Sequence, residues 1–240
     1  VDVILISYLF AVVISFAVGV PTLIRALRRR DTPLVLLGLA VSFDALEWLA
    51  WTLACYSPAV DTPVGYALSI GCRLGIIASV LCLLLFTQRV FRPESSGAKI
   101  WALLIACTLM VSFAGSGALG DWEGVRNDHV WTWLEQLALM TGYGWTSFEG
   151  GRQYRLGKRR LLIGLGDAVS AHRQLLWSVY AGMFFLAEGV YVISFAFYGM
   201  LSDLDTLNSA LTIVAELALG TAVFTPVWYA RRIAASSPAV

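Results

Sequence analysis

Apolar residues fill long stretches of this chain, and polar ones gather in the short breaks between them. Seven apolar runs stand out, at about 3–27, 33–56, 63–90, 99–119, 129–154, 167–199 and 204–231. Each reaches roughly the 20 residues a helix needs to cross a bilayer. The breaks carry helix-boundary chemistry. Asp31-Thr32-Pro33 makes a turn, with the proline suited to a first helical turn. Ser57-Pro58 stops the second run, and FRPESSGAK (91–99) is a turn by its Pro, Ser and Gly content. GALGDWEGVRND (117–128) is a loop, and RLGKRRLLIGLG (155–166) is a basic connection. Asp167 suits the N-cap of the sixth helix, and SDLDTLN (202–208) leads into the seventh. The pattern predicts an all-α integral membrane protein, a single seven-transmembrane helix bundle over 1–240.

Composition strengthens this picture. The chain is 58% hydrophobic with a mean hydropathy of +0.74, and only 14% of its residues are charged. Soluble domains are nearer 45–50% apolar. The formal net charge of +1 gives no footprint for nucleic acid. What matters is where the charges lie. Arg25, Arg28, Arg29 and Arg30 follow run one, and Arg89, Arg92 and Lys99 follow run three. Arg152, Arg155, Lys158, Arg159 and Arg160 follow run five, and Arg231 and Arg232 follow run seven. The opposite breaks carry Asp61, Asp121, Glu123, Asp128, Asp203 and Asp205 against Arg126. The positive-inside rule then puts the N-terminus outside and the C-terminus inside. Seven spans are consistent with it, since an odd count places the termini on opposite sides. The first run is longer than a signal-peptide core and is expected to be a retained span. The short tail is expected to carry no kinase or cyclase module. The expected location is a prokaryotic inner membrane.

Polar residues inside the runs are the candidates for chemistry, because charge in lipid is expensive and turns inward to pair. Trp177, Tyr180 and Phe184 fall at i, i+3 and i+7 on run six, and Glu188 continues their face. Asp44 and Glu47 stand one turn apart on run two. Arg73 lies in the outer half of run three. Glu135 and Glu149 sit toward opposite ends of run five. Thr212, Glu216 and Gly220 follow one line along run seven. The buried network is therefore expected to include Asp44, Glu47, Arg73, Glu135 and Glu188. The pocket candidates are Trp177, Tyr180, Phe184, Thr212 and Glu216.

Each candidate has a plainer explanation. Glu149 and Arg152 could pair locally near the inner interface. Glu135 and Glu188 could be wet near the outer one. Asp44 with Glu47 could be interhelical glue, satisfied by hydroxyls or by Arg73. Glu216 has no basic neighbour in sequence and is hardest to explain that way. His129 and His172 sit at span ends without metal-ligand spacing, so no metal is expected. Cys55, Cys72, Cys82 and Cys107 are buried apolar thiols by default, with Cys55 and Cys72 near enough to approach each other. Trp122, Trp131, Trp133 and Trp228 suit aromatic belts.

Several of these patches together resemble microbial (type 1) rhodopsins. LLWSVYAGMFFLAEG (175–189) resembles that family's sixth helix, with Trp177, Tyr180 and Glu188-Gly189 fitting, and with Ala181 and Phe184 replacing its proline and second tryptophan. TIVAELALG (212–220) resembles the last helix. Arg73 with GIIASVLCLLLF (75–86) resembles the third, and HVWTW (129–133) the fifth. The family holds retinal on a seventh-helix lysine. Glu216 occupies that position here, and the chain's lysines, Lys99 and Lys158, lie at or beside inner loops. Thr212, Ile76 and Thr87 stand where the resemblance implies the seventh-helix aspartate, the counterion and the inner proton donor, and Ile77 replaces the tryptophan after the counterion. The resemblance thus implies a relative without covalent retinal.

Three functions follow. One is a non-covalent binding or sensory module, for an apolar ligand such as retinal, a carotenoid, a quinone or a lipid, working through a partner chain. Another is an accessory subunit of a larger membrane complex, in contact with lipid and with another membrane protein or a second copy. The third is proton or ion conduction along Asp44, Glu47, Glu188 and Glu216. No nucleophile–base set, phosphate loop or metal cluster points to an enzyme.

Overall fold

The computed structural model describes residues 3–56, 62–118, 130–197 and 202–224, and these form helices without strands. Seven helices occur among them: α1 (Val3–Arg29), α2 (Thr32–Tyr56), α3 (Pro63–Phe91), α4 (Ser96–Ala118), α5 (Val130–Leu162), α6 (Ala168–Phe197) and α7 (Ser202–Phe224). α1, α2, α3, α4 and α6 are each long and apolar enough to cross a membrane.

Boundary chemistry explains where the helices begin. Asp31 caps α2 by accepting the Leu34 N–H at 3.1 Å, and Pro33 sits in the first turn, where its missing donor costs nothing. Thr62 caps α3 ahead of Pro63. Asp167 caps α6 through the Val169 and Ser170 N–H groups.

The basic segment after the fifth apolar run is not a connection. α5 continues through Arg155, Lys158 and Arg159 to Leu162, eight residues past the predicted end. Arginine and lysine are good helix formers, so leaving the apolar zone does not end a helix. What ends it is Gly164 at φ 72°, with Gly164 N–H bonding Leu161 O and Leu165 N–H bonding Arg160 O, the paired bonds of a Schellman motif. α1 ends with the same bond pattern around Arg30, at φ 54°.

α1, α2, α3, α5, α6 and α7 pack in that order, and α7 returns to α1, closing a ring. α4 lies outside it, against α3 and α5. Small residues let the helices approach. Gly19 faces Ser42, Gly38 faces the Leu23 backbone, and Gly75 faces the Glu47 backbone. Ser147 and Ser178 bond each other's backbone carbonyls across α5 and α6, at 2.9 and 2.8 Å. Trp131 packs on Gly115 of α4, so this belt candidate also serves as an interhelical contact.

The exterior is apolar. Val13, Leu53, Leu74, Leu103, Leu137, Phe148, Ile193 and Leu217, drawn from all seven helices, are exposed. Water would penalise so continuous a surface, whereas lipid covers it. The protein is a membrane-embedded helical bundle.

Several residues weighed in the sequence lie outside the described residues: Ser57, Pro58, Asp61, Asp121, Trp122, Glu123, Arg126, Asp128, His129, Trp228, Arg231 and Arg232. So do the side chains of Asp203 and Asp205.

Candidate functional site

A cavity of about 340 Å³ occupies the end of the bundle away from the basic clusters. The N-terminal halves of α1, α3, α5 and α7 and the C-terminal halves of α2 and α6 wall it. Its polar lining includes Glu47 on α2, Arg73 on α3, Glu135 and Gln136 on α5, Glu188 on α6, and Asn208 and Thr212 on α7. Tyr8, Trp48, Trp51 and Tyr191 supply aromatic surface. Cys55 and Cys72 also line it, both as thiols rather than a disulfide.

Two of its charges are paired. Arg73 Nη2 donates to Glu135 Oε2 at 2.8 Å, with both side chains largely buried. Ser112, which donates to the Trp131 carbonyl at 2.7 Å, stands 3.4 Å from the same carboxylate oxygen. Arg73 therefore serves Glu135 rather than Asp44 or Glu47.

The other two carboxylates are not held. Glu47 is 8% exposed, and no hydrogen bond or ion pair from a described residue reaches it. No such contact reaches the half-buried Glu188 either. Gln136 Oε1 and Asn208 Oδ1 are buried and also lack a partner. Native interiors leave few such groups, and each one is a reason to look for a missing partner.

The cavity floor is aromatic. Tyr143 stacks on Phe184 with centroids 5.2 Å apart, and Tyr180 meets Phe184 edge-on at 5.1 Å. Trp177 abuts Tyr180 and, at 6.2 Å, Phe86. The periodic face predicted on α6 exists, but most of it is spent on packing. Phe184 reaches the cavity; Trp177 and Tyr180 lie below it and do not line it. Tyr180 is buried in the core and the half-buried Trp177 packs against it, so these two rings are spent on edge-to-face packing rather than on a lining.

Glu216 does not line the cavity either. It is fully buried, and Ser15 Oγ lies 3.1 Å from both its carboxyl oxygens and 3.0 Å from Asp44 Oδ2. Asp44, three residues from Glu47, thus turns to α1 and α7 while Glu47 turns to the cavity. The five residues expected as one network divide. Asp44 belongs with Ser15 and Glu216, Arg73 with Glu135, and Glu47 and Glu188 stand alone. Thr212, the other seventh-helix candidate, lines the cavity and bonds back to Asn208 O at 3.0 Å.

A serine hydroxyl has one hydrogen, yet three carboxyl oxygens surround this one. At least one further contact needs a hydrogen supplied by a carboxyl group. The cluster is therefore expected to hold a proton. Infrared spectra of the purified protein should contain a protonated-carboxyl band that shifts in D₂O and disappears or shifts in Glu216→Gln. A wild-type spectrum with carboxylate bands alone would refute the shared proton.

At the basic end, Glu149 is buried and joins two helices. Arg92, beyond α3, reaches its Oε1 at 2.8 Å, and Arg152 reaches its Oε2 at 3.4 Å. The local pair with Arg152 is present, and the shorter contact is the long-range one. Thr87 shares a 3.0 Å hydrogen bond with Thr146.

Sequence reasoning missed Ser15, Gln136 and Asn208. Ser15 carried a usable signal, since Ser15 and Gly19 form a small-x-x-x-small pair on α1, and Gly19 meets Ser42 of α2. Among the described residues, no three His, Cys, Asp or Glu side chains gather as a metal site. No family model, curated protein or solved structure matches the chain.

Proposed function

We propose that this is a seven-span membrane protein, N-terminus outside, that binds a small molecule non-covalently in its outer cavity and signals through a partner chain. The observation that carries this reading is the cavity itself, ringed by six helices and lined by Glu47 and Glu188 without partners. A structural bundle has no use for two unheld carboxylates, whereas a ligand site leaves its polar groups waiting.

Seven spans are supported by packing. α5 and α7 complete the ring between apolar neighbours, and both expose large apolar side chains. At 1.5 Å per residue, the 23 residues of α7 span about 35 Å, more than the roughly 30 Å hydrocarbon core. The basic clusters at the opposite end favour placing the cavity outside.

The kinship with type 1 rhodopsins remains a proposal resting on the sequence patches alone. Within it, the old lysine site at Glu216 is closed by Ser15 and Asp44, so a ligand would sit nearer the outer surface than retinal does in that family. The lining also favours an amphipathic ligand over a purely apolar one.

The cysteines provide the test. In intact cells, a small cationic methanethiosulfonate that cannot cross membranes should modify Cys72 in a Cys55→Ala background. Added from the inner side of inverted vesicles, it should not. Modification only from the inner side would reverse the orientation, and no modification from either side would remove the accessible cavity. Conduction is the second reading, favoured by the Ser15–Asp44–Glu216 cluster near mid-bundle. It requires Glu216→Gln to abolish a proton flux measured in proteoliposomes.

A further inference from the structure

The chemistry of the unsatisfied groups narrows the ligand. Glu47 and Glu188 are acceptors when ionised, and the lone buried atoms of Gln136 and Asn208 at this cavity are carbonyl oxygens. Apart from the Trp48 indole Nε1, every unpartnered group named here needs a donor. Among the described lining residues, three carboxylates face one guanidinium, and that guanidinium already holds Glu135. A charged donor is what these acceptors lack.

The apolar part of the lining points the same way. Tyr8 and Trp48 stack with centroids 5.3 Å apart, and Trp51 and Tyr191 line the same space. Aromatic faces attract cations and cover apolar carbon equally well. A volume of about 340 Å³ lies at the small end for ligand pockets.

We propose that the cavity takes a small protonated amine with an aromatic or apolar body, its ammonium held by Glu47 and Glu188. This rests on the binding reading above and adds the ligand's chemical class. Anions are excluded by the unpaired carboxylates. Neutral apolar molecules would leave those carboxylates without partners.

The test compares three probes of nearly equal shape: 2-phenylethylammonium, 2-phenylethanol and phenylacetate. Each is assayed on the purified full chain for its ability to slow modification of Cys72 by a neutral methanethiosulfonate. The ammonium probe should protect at a concentration at least tenfold lower than the alcohol, and phenylacetate should not protect. Glu47→Gln and Glu188→Gln should each remove that tenfold advantage in protein that still melts cooperatively. Equal protection by alcohol and ammonium would overturn the proposal, as would protection by none of the probes or an ammonium advantage that survives both substitutions. Those outcomes leave the cavity standing. An unreactive Cys72 without any probe would instead defeat the binding reading itself.

Discussion

Replacing Arg73 with methionine should destabilise the folded protein by about 3–5 kcal/mol, because it strands Glu135 as a buried carboxylate. The guanidinium is the ion-pair partner of Glu135, and the nearby Ser112 hydroxyl already donates to the Trp131 carbonyl. In a detergent melt, the loss should lower Tm by on the order of 10 °C. Arg73→Met combined with Glu135→Leu should recover most of it, since removing both partners leaves no charge behind. The double-mutant cycle separates two sources of loss. If the single variant is no worse than the double, the damage comes from lost packing of the arginine stem and the ion pair is not what matters. If the single variant costs less than about 1 kcal/mol, water in the cavity is already screening Glu135, as it screens exposed pairs.

The second large effect is expected at Gly38. A Cβ built there would lie 2.7 Å from both the N and Cα of Leu23. Those are backbone atoms, so no rotamer change can make room, and α1 and α2 would have to separate. Overpacking of this kind costs about 1–3 kcal/mol and occasionally more. The site lies close to the Gly19–Ser42 contact and a few turns from Ser15, so separation should also disturb the hydrogen bonds to Asp44 and Glu216. Gly38→Ala is therefore expected to lower Tm and to move the infrared band of the shared proton. Gly71→Ala is the control, because nothing lies within 4 Å of its Cβ position. There the gain in helix propensity, about 0.5–1 kcal/mol, should raise Tm slightly. Equal behaviour of the two alanine variants would mean that α1 and α2 do not meet this closely.

Hydropathy and boundary residues made most of the helices legible. An apolar run long enough to span needs internal backbone hydrogen bonding, and only a helix supplies it within one segment. Asp31, Thr62-Pro63 and Asp167 mark starts through their own side-chain and backbone geometry, with no help from distant residues. The end of α5 was misplaced for the opposite reason. Polarity marks where a helix leaves the apolar zone, and the stop itself waited for Gly164 to adopt a left-handed conformation.

Which inward-facing polar residues would meet was far less legible. Asp44 and Glu47 are neighbours on one helix, yet one meets Ser15 and Glu216 while the other faces the cavity. Trp177, Tyr180 and Phe184 share a periodic face, yet only Phe184 reaches the cavity. Arg73 had several acids to choose from and pairs with Glu135, 62 residues away.

The sequence by itself determined the helices, their apolar surfaces and the set of polar residues that could not face lipid, because each of these follows from local composition and a 3.6-residue period. Only the tertiary structure decided the partners. A helical face spans several neighbours, and contacts such as Gly38 on Leu23 and Gly75 on Glu47 help set the rotation of each helix. A rotation of a few tens of degrees is enough to move a carboxylate from a serine to the cavity.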